Sequence, residues 1–404
     1  MLRVSRRFLL GQAGAMGLAL ASHRAFAGPA VNLPLPGGPD ARPIATDFPE
    51  KGAMILQRSR PPLLETPFEV FDQGVFTPND RFYVRWHWAV IPTEIDVASF
   101  RLTVRGQVAT PLSLSLADLL AMPRVELAAV NQCSGNSRGL FQPRVPGGQW
   151  ANGAMGNALW TGVRLKDVLD KAGVKPGAVQ VRLKGLDEPV VDGAPDFMKS
   201  LDLDHARDSE VMIAFGMNGK QLPLLNGFPL RLVVPGWYAT YWVKMLSDIE
   251  VLDRPDDNYW TKTAYRIPDT PGADMKPGQT GVATVPISRM VPRSFITNVK
   301  AGDTLHAGAA NLLRGIALGG DTGVARVDVS GDGGKTWQPA TLGADQGKYG
   351  FRAWQTVLTP PQPGACTLAV RCTNDAGVVQ PTAPNWNPSG FMRNVIETTQ
   401  VVAA

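Results

Sequence analysis

Cysteine and histidine are scarce in this chain, which has three and four of them among 404 residues. The sequence contains no C-x-x-C-H run, which attaches a c-type haem, and no H-E-x-x-H run, which binds zinc. It also lacks a P-loop and a G-x-G-x-x-G turn after a strand, which excludes the common nucleotide and dinucleotide sites.

Two of the three cysteines are interpreted as structural residues that do not form a disulfide with each other. Cys366 and Cys372 lie in one apolar stretch that predicts a strand. Six residues of strand separate two side chains by roughly 20 Å, which is far beyond the reach of a disulfide. We interpret both as structural residues, and the cysteines alone then do not indicate a redox compartment.

Long hydrophobic runs are absent, and the most apolar segment near the N-terminus belongs to a leader. Residues 1–27 contain Ser5-Arg6-Arg7-Phe8, then a short glycine-containing apolar stretch, then Ala25-Phe26-Ala27. This order is typical of a twin-arginine export signal with its cleavage site, and the stretch is too short to cross a membrane. The leader predicts a periplasmic protein, and it favours a cofactor because this pathway exports folded proteins.

The chain also has little net charge once the leader is set aside. The formal net charge is +5, and four of those positive charges are leader arginines. The remainder therefore has almost no net charge, and no basic stripe indicates a nucleic-acid partner. An anion site in this protein must be built from a few individually placed arginines.

Proline and glycine are abundant, with 34 and 42 copies, which favours short strands and many turns. Amphipathic patterns predict two helices, at 116–121 and 164–172, and a Pro/Gly cluster predicts a linker at 268–281. The evenly spaced short strands that follow are typical of an immunoglobulin-like sandwich, so we predict an α+β fold with an all-β second domain. The predicted segments are the leader (1–27), an extended arm over the surface (28–67), a catalytic domain (68–280) and the immunoglobulin-like domain (281–404).

Cys133 is the one cysteine in a setting that favours chemistry. It lies in Asn131-Gln132-Cys133-Ser134-Gly135-Asn136-Ser137-Arg138, between an apolar strand pattern and a glycine-containing loop. Gly135 leaves room for a bulky group to approach the backbone, and the positive charge of Arg138 favours a thiolate. The pattern indicates a nucleophile or a soft metal ligand, and a buried structural cysteine is the alternative.

Cations and aromatic residues that could share this site occur in two places. Strand alternation puts Tyr83, Arg85 and His87 on one face, which predicts contact with either an anion or solvent. Arg231 and Lys244 flank a long apolar run. Cations in such positions fit phosphate recognition and fit solvated strand ends equally well.

A longer series of motifs resembles the sulfite oxidase family. From about residue 76 to residue 395 the chain contains, in order, F-Y-V-R-W-H, N-Q-C-S-G-N-S-R, G-Q-W, K-G-L-D, N-G-F-P-L-R-L-V-V-P-G, W-V-K, T-A-Y and V-D-V-S-G-D-G-G-K-T-W-Q. These motifs are long, ordered and spaced as in the family. Within the family the chain is most similar to bacterial members that pass electrons to cytochrome c.

The resemblance implies a molybdenum centre with one pyranopterin dithiolene, in which Cys133 is the protein ligand. The family commonly has asparagine at the position of Trp86 and histidine at the position of Asn226, so these two residues are departures. The residues that the resemblance assigns to the pterin and its phosphate are Tyr83, Val84, Arg85, Trp86, His87, Asp187, Asn226, Arg231, Trp242, Val243 and Lys244.

On the substrate side, the resemblance implies sulfite, a small dianion with three acceptor oxygens. Planar guanidinium groups bind such an anion with geometry as well as charge. The implied catalytic residues are Arg85, His87, Arg138, Trp150, Tyr265 and Arg352. Because Tyr265 would lie among arginines, we expect them to lower its pKa and to favour the phenolate.

The implied reaction converts sulfite to sulfate and passes two electrons, one at a time, to a c-type cytochrome, since no haem domain precedes the predicted catalytic domain. The cytochrome is expected either as a transient partner or as a bound subunit, and the second domain could make a homodimer instead. One alternative is a sulfane dehydrogenase molybdenum subunit that acts on carrier-bound sulfur. The other is a non-catalytic, exported, β-rich binding protein. Retention of Arg85, Arg138 and Arg352 together favours free sulfite.

Overall fold

Residues 29–404 are described by a computed structural model. The export signal predicted for residues 1–27 lies outside these residues. Within 29–404, no helix has both the length and the apolar character that a membrane crossing requires.

The predicted arm folds as a sheet and does not wrap loosely over the surface. Its strands are antiparallel in chain order, and Met54 and Leu64 are completely buried. Short runs of apolar residues between the prolines pair into strands, so this segment supplies four of the five strands of the sheet. The strands are β1 (Ala30–Asn32), β2 (Ala41–Ala45), β3 (Met54–Arg58), β4 (Leu63–Glu65) and β5 (Val84–Arg85).

The first domain contains two further sheets. Their strand orders are β11-β10-β15-β6-β7 and β13-β12-β9-β8, with β14 paired to β12. A large apolar core packs between these layers, and Trp160 and Leu183 at its centre are fully buried. The strands are β6 (Leu102–Gly106), β7 (Leu112–Leu114), β8 (Val125–Gln132), β9 (Met155–Arg164), β10 (Gln180–Gly185), β11 (Met198–Asp202), β12 (Met212–Met217), β13 (Lys220–Gln221), β14 (Arg231–Val233) and β15 (Leu246–Leu252).

Helices are few and short among the described residues, and their ends follow local chemistry. The capping box of Ser115 and Asp118 begins α1 (Leu116–Leu120). Gly173, at φ 70°, ends α2 (Leu165–Ala172) in the left-handed conformation that glycine adopts without strain. Both predicted helices are confirmed. The other helices are α3 (Leu203–Ala206), α4 (Tyr259–Lys262) and the 3₁₀ turns Phe68–Asp72, Asn79–Arg81, Arg138–Leu140, Leu224–Asn226, Ala239–Tyr241 and Pro271–Ala273.

The second domain is the predicted all-β sandwich. Its two sheets have the orders β18-β20-β24-β23 and β19-β26-β25-β21-β22, and Leu313 and Leu368 are fully buried between them. Cys366 and Cys372 both lie on β25 as free thiols, as predicted. The strands from the connection onward are β16 (Arg266–Pro268), β17 (Thr284–Pro286), β18 (Arg293–Ile296), β19 (Thr304–Leu305), β20 (Asn311–Leu318), β21 (Val324–Ser330), β22 (Gln338–Pro339), β23 (Thr341–Leu342), β24 (Arg352–Leu358), β25 (Gly364–Asn374) and β26 (Glu397–Ala403).

The two domains meet along β8, the strand that leads to Cys133. The backbone N–H of Val130 donates to the carbonyl oxygen of Tyr349 over 2.8 Å. Val130 and Met155 of the first domain pack in one apolar cluster with Phe351 and Phe391 of the second. The second domain therefore supports the loop that carries Cys133.

Candidate active site

One cavity brings together most of the residues that the sequence singled out. It lies where β5, the end of β8 and the start of β14 converge. The predicted residues that line it are Tyr83, Val84, Arg85, His87, Cys133, Asn226, Arg231, Lys244 and Tyr265.

Cys133 follows the last residue of β8 and is held by backbone hydrogen bonds. Its N–H donates to Ala154 over 2.9 Å, and its carbonyl oxygen accepts from Asn136 over 2.9 Å in a tight turn. The residue is 8% exposed and lines the cavity. A Cβ atom at Gly135 would lie 2.4 Å from the Arg138 guanidinium, so a larger residue there would displace this guanidinium. This turn presents one soft sulfur ligand on a rigid backbone.

His87 and Tyr265 form a contact pair across the cavity. His87 Nε2 lies 2.5 Å from Tyr265 Oη, and the ring of Phe197 stacks on the imidazole at 3.5 Å between centroids. Burial, with the charges of Arg85 and then Lys244, lowers the pKa of His87 well below its usual value. His87 is therefore neutral at neutral pH and can exchange a hydrogen bond, but not a charge, with Tyr265.

The pKa of Tyr265 is raised, so the predicted shift toward phenolate was wrong. Burial is the largest cause, because removal from water disfavours the charged form. Arg85 and Arg138 do oppose it, as expected, but their effect is smaller than that of burial. Tyr265 also has φ 56°, a left-handed conformation that a tyrosine adopts only when its surroundings enforce it. Tyr265 is thus a protonated hydroxyl in a fixed place.

Arg231 is a buried cation with one hydrogen-bond donor that has no partner within the protein. Its two terminal nitrogens donate to the carbonyl oxygen of Asn226 (2.9 Å) and to Asn131 Oδ1 (3.0 Å), while Nε has no partner. The guanidinium carbon lies 5.3 Å and 5.8 Å from the ring centroids of Trp160 and Trp242. Burial lowers the pKa of Arg231 to about 10, which leaves it charged. Trp242 does not line the cavity; it supports Arg231 from behind.

Lys244 is the second buried cation of the cavity. Its Nζ lies 4.4 Å from the centroid of the Trp86 ring, and burial followed by the charge of Arg231 lowers its pKa to about 7. Burial raises the pKa of Asp187 to about 6. Neither Trp86 nor Asp187 lines the cavity: Trp86 donates to Leu225 and packs in the core. Both residues lie beside Lys244, outside the lining of the cavity.

Arg352 is not brought to the cavity. It begins β24, and its guanidinium pairs with the exposed carboxylate of Asp345. The preceding residues pack against the first domain, where the Tyr349 carbonyl accepts from β8. Arg352, which the resemblance assigns to the substrate, therefore lies outside the lining of this cavity.

Three other predicted residues contribute indirectly. Arg138 is at the site's edge: its Nε donates to Ser389 over 3.1 Å, and burial lowers its pKa while Cys133 and Tyr265 counter this shift. Trp150 is buried in the cluster that contains Cys133, and its carbonyl oxygen accepts from Gly139 over 2.9 Å. Val243 is a buried backbone partner of β14 and does not line the cavity.

Asn131 and Lys51 are two of the residues at the site that escaped the sequence-based prediction. Asn131 accepts from Tyr83 Oη over 2.7 Å as well as from Arg231, and its position in the Cys133 motif was an available signal. Lys51 is 7% exposed, and its Nζ donates to Asn79 (2.7 Å), Phe82 (3.0 Å) and the side chain of Asn226. No local pattern indicates such a role for Lys51.

The donor set of the cavity fits a polar, anionic cofactor with a metal. Buried polar atoms in native proteins are nearly always hydrogen-bonded, yet several here have no partner within the protein. Together with the charges of Arg231 and Lys244 and the thiol of Cys133, they match a pterin, its phosphate and a thiophilic metal. The unpartnered atoms are Arg85 Nη1, His87 Nδ1, Asn131 Nδ2, Ser134 Oγ, Arg231 Nε and Thr240 Oγ1.

Comparison with known proteins agrees with this fit. Residues 88–260 match the oxidoreductase molybdopterin binding domain, and residues 285–402 match the Mo-co oxidoreductase dimerisation domain. Chicken sulfite oxidase is 33% identical over 374 residues, which cover 88% of this chain and 80% of that protein. The chain belongs to the sulfite oxidase family. Within that family, human mitochondrial sulfite oxidase is 34% identical over 87% of this chain, and the match spans 66% of the human protein.

A solved member of the same fold is the sulfane dehydrogenase SoxCD from Paracoccus pantotrophus. It superposes with a TM-score of 0.71 at 27% sequence identity, and the match covers 84% of each chain. The predicted fold class and the family are thereby confirmed.

Proposed function

We propose that this protein is a periplasmic sulfite dehydrogenase, which oxidises sulfite to sulfate at a molybdenum–pyranopterin centre and passes the electrons to a c-type cytochrome. The observation that carries the proposal is Arg85, whose buried Nη1 has no protein partner. Arg85 lines the same cavity as Cys133, and its guanidinium carbon lies 5.9 Å from the Tyr265 ring centroid. A guanidinium nitrogen without a protein partner, in the same cavity as the Cys133 thiol, supports binding of a small oxyanion.

The residues of this chain divide the work between cofactor and substrate. When bound, the cofactor supplies oxygen-atom transfer and two-electron redox chemistry. Cys133 would hold the metal, and Arg231 and Lys244 would neutralise the phosphate of the pterin. Asn131 and Asn226 would offer hydrogen bonds to the pterin ring.

On the substrate side, Arg85 would bind sulfite oxygens and Arg138 would add positive charge from the edge of the site. Tyr265 would donate a hydrogen bond from Oη, since its raised pKa keeps it protonated. The contact with His87 Nε2 fixes the direction of that hydroxyl. The arrangement therefore binds and orients an anion next to the metal ligand.

The runner-up is a sulfane dehydrogenase that acts on carrier-bound sulfur, and the structural similarity to SoxCD favours it. The expectation of free sulfite rests on three arginines. Because Arg352 does not line the cavity, the arginines favour sulfite over carrier-bound sulfane less strongly. The curated relatives named sulfite oxidase, at up to 34% identity, support sulfite. A non-catalytic binding protein does not agree with the match to an oxidoreductase domain.

The acceptor and the compartment are parts of the same proposal. The twin-arginine pattern of residues 1–27 supports export to the periplasm, where c-type cytochromes carry electrons. Sulfite and water give sulfate, two protons and two electrons, so two cytochromes are reduced for each sulfate formed.

The test is sulfite-dependent reduction of cytochrome c by the purified, molybdenum-loaded protein, with Cys133→Ser as the blank. We expect rapid reduction, with two cytochromes per sulfate, that is lost in the variant. If metal-replete protein reduces cytochrome only with carrier-bound sulfane, the sulfite proposal fails and the runner-up is correct.

A further inference from the structure

One loop of the second domain touches three parts of the proposed site. The ring of Phe391 stacks on the ring of Tyr265 with centroids 5.5 Å apart and an interplanar angle of 3°. The guanidinium carbon of Arg138 lies 5.1 Å from the same Phe391 centroid. Met392 N–H donates to the carbonyl oxygen of Ser134 over 3.1 Å, next to Cys133. A single aromatic ring therefore contacts both Tyr265 and Arg138.

The position of Phe391 is fixed by its own loop. The side chain of Asn387, which is fully buried, accepts from Phe391 N–H over 3.1 Å and donates to its carbonyl oxygen over 3.0 Å. Asn385 donates to the same oxygen over 3.3 Å. Phe391 itself is 8% exposed. These bonds fix the backbone from which the ring projects.

Arg138 depends on this loop because its surroundings supply few polar partners. Its Nε donates to Ser389 over 3.1 Å, and Gly135, Gly147 and Gly390 line its path. A Cβ at any of the three would lie between 2.4 and 2.8 Å from the arginine side chain. The glycines make room for the Arg138 side chain. Its contacts with the Phe391 ring and the Ser389 carbonyl oxygen orient the guanidinium.

We propose that Phe391 is a positioning residue, which holds the Arg138 guanidinium and the Tyr265 ring in the geometry that binds the oxyanion. The inference rests on the proposed function, because it assigns Phe391 to the same site. Phe391 acts through two other side chains, so its loss should weaken binding of the anion more than it slows the chemistry. Stacking and cation–π contacts are of the size that changes affinity by about tenfold.

The test compares Phe391→Leu, which removes the ring, with Phe391→Tyr, which keeps it. Sulfate is titrated into the oxidised holoenzyme by calorimetry, and kcat and KM for sulfite are measured alongside. We expect Phe391→Leu to raise the sulfate Kd and the sulfite KM about tenfold, with kcat within about twofold. Phe391→Tyr should restore both constants.

The matched control is Phe295→Leu, which makes the same change in the same apolar cluster at a ring that packs on Phe68. It should lower the melting temperature while leaving Kd and KM unchanged. If Phe391→Leu does not fold, Phe391→Met serves as a second ring-free variant.

Three outcomes overturn the inference. Unchanged Kd and KM in an active Phe391→Leu enzyme reject it and leave the proposed function standing, as does an equal change in Phe295→Leu. A wild-type holoenzyme that neither binds sulfate nor oxidises sulfite rejects the proposed function and this inference together.

Discussion

Tyr265, His87 and Lys244 face a cavity in which burial favours the uncharged form of each. The pKa of Tyr265 is raised, that of His87 is lowered, and that of Lys244 falls to about 7. Arg231 is the exception, since a pKa of about 10 keeps it charged. The site thus keeps its fixed positive charge on arginine, the residue type that burial neutralises least.

The sequence predicts a substrate-binding role for both Arg85 and Arg352, but substitution of the two should affect the KM for sulfite differently. We expect Arg85→Gln to raise the KM for sulfite at least about tenfold, because sulfite loses a charged hydrogen-bond donor. Arg352→Gln should leave KM within about twofold, since its guanidinium pairs with Asp345. Steady-state kinetics of both variants at equal molybdenum content checks this. A large effect of Arg352→Gln alone would contradict the geometry.

Lys244 should give the cofactor-free protein a pH-dependent stability. Its folded pKa of about 7 lies below the ordinary lysine value of 10.5, so between these pH values the unfolded chain binds the additional proton. The free energy of unfolding should therefore rise with pH across this window, by up to about 1.4 kcal/mol per unit. Urea unfolding of wild type and Lys244→Met between pH 7.5 and 9.5 measures the difference in slope. Parallel curves would refute the shift.

Among the elements, the β1–β5 sheet contributes to the site through Lys51. Lys51→Met removes the donor that fixes Asn226 and leaves the carbonyl oxygens of Asn79 and Phe82 without this partner. We expect a several-fold loss of bound molybdenum and pterin, together with a destabilisation of about 1–3 kcal/mol. Metal analysis and pterin fluorescence per chain measure the first effect.

The matched control is Lys166→Met, because Lys166 forms an ion pair with Asp170 on the surface of α2. Its cofactor content should equal that of wild type. Equal losses in both variants would show that the effect of Lys51 is not specific to the site.

Elements with local signals were predictable from the sequence, and those formed by distant contacts were not. The ends of α1 and α2 follow from Ser115 and Gly173, because caps are local chemistry. Likewise, Cys133 and Tyr265 stand in recognisable motifs. Lys51 reaches Asn226 across 175 positions, and no motif records such a contact. The direction of Arg352 was also not predictable, because it depends on how β24 packs.

At the scale of the whole molecule, the apolar cluster that joins the domains predicts that they unfold together. Val130 and Met155 pack there against Phe295 and Phe351, which are buried in the second domain. We expect one calorimetric transition, and Phe351→Ala should shift it by the equivalent of about 3–5 kcal/mol. Two transitions, or a shift in only one, would mean that the domains are energetically separate.

The loop that carries Phe391 also bears on how the protein is made. Lys51 holds one wall of the cavity and Phe391 holds another, although 340 positions separate them in the chain. A ribosome must therefore translate nearly all of this sequence before the pocket is complete. Cofactor insertion then follows synthesis and cannot guide the early folding of the first domain.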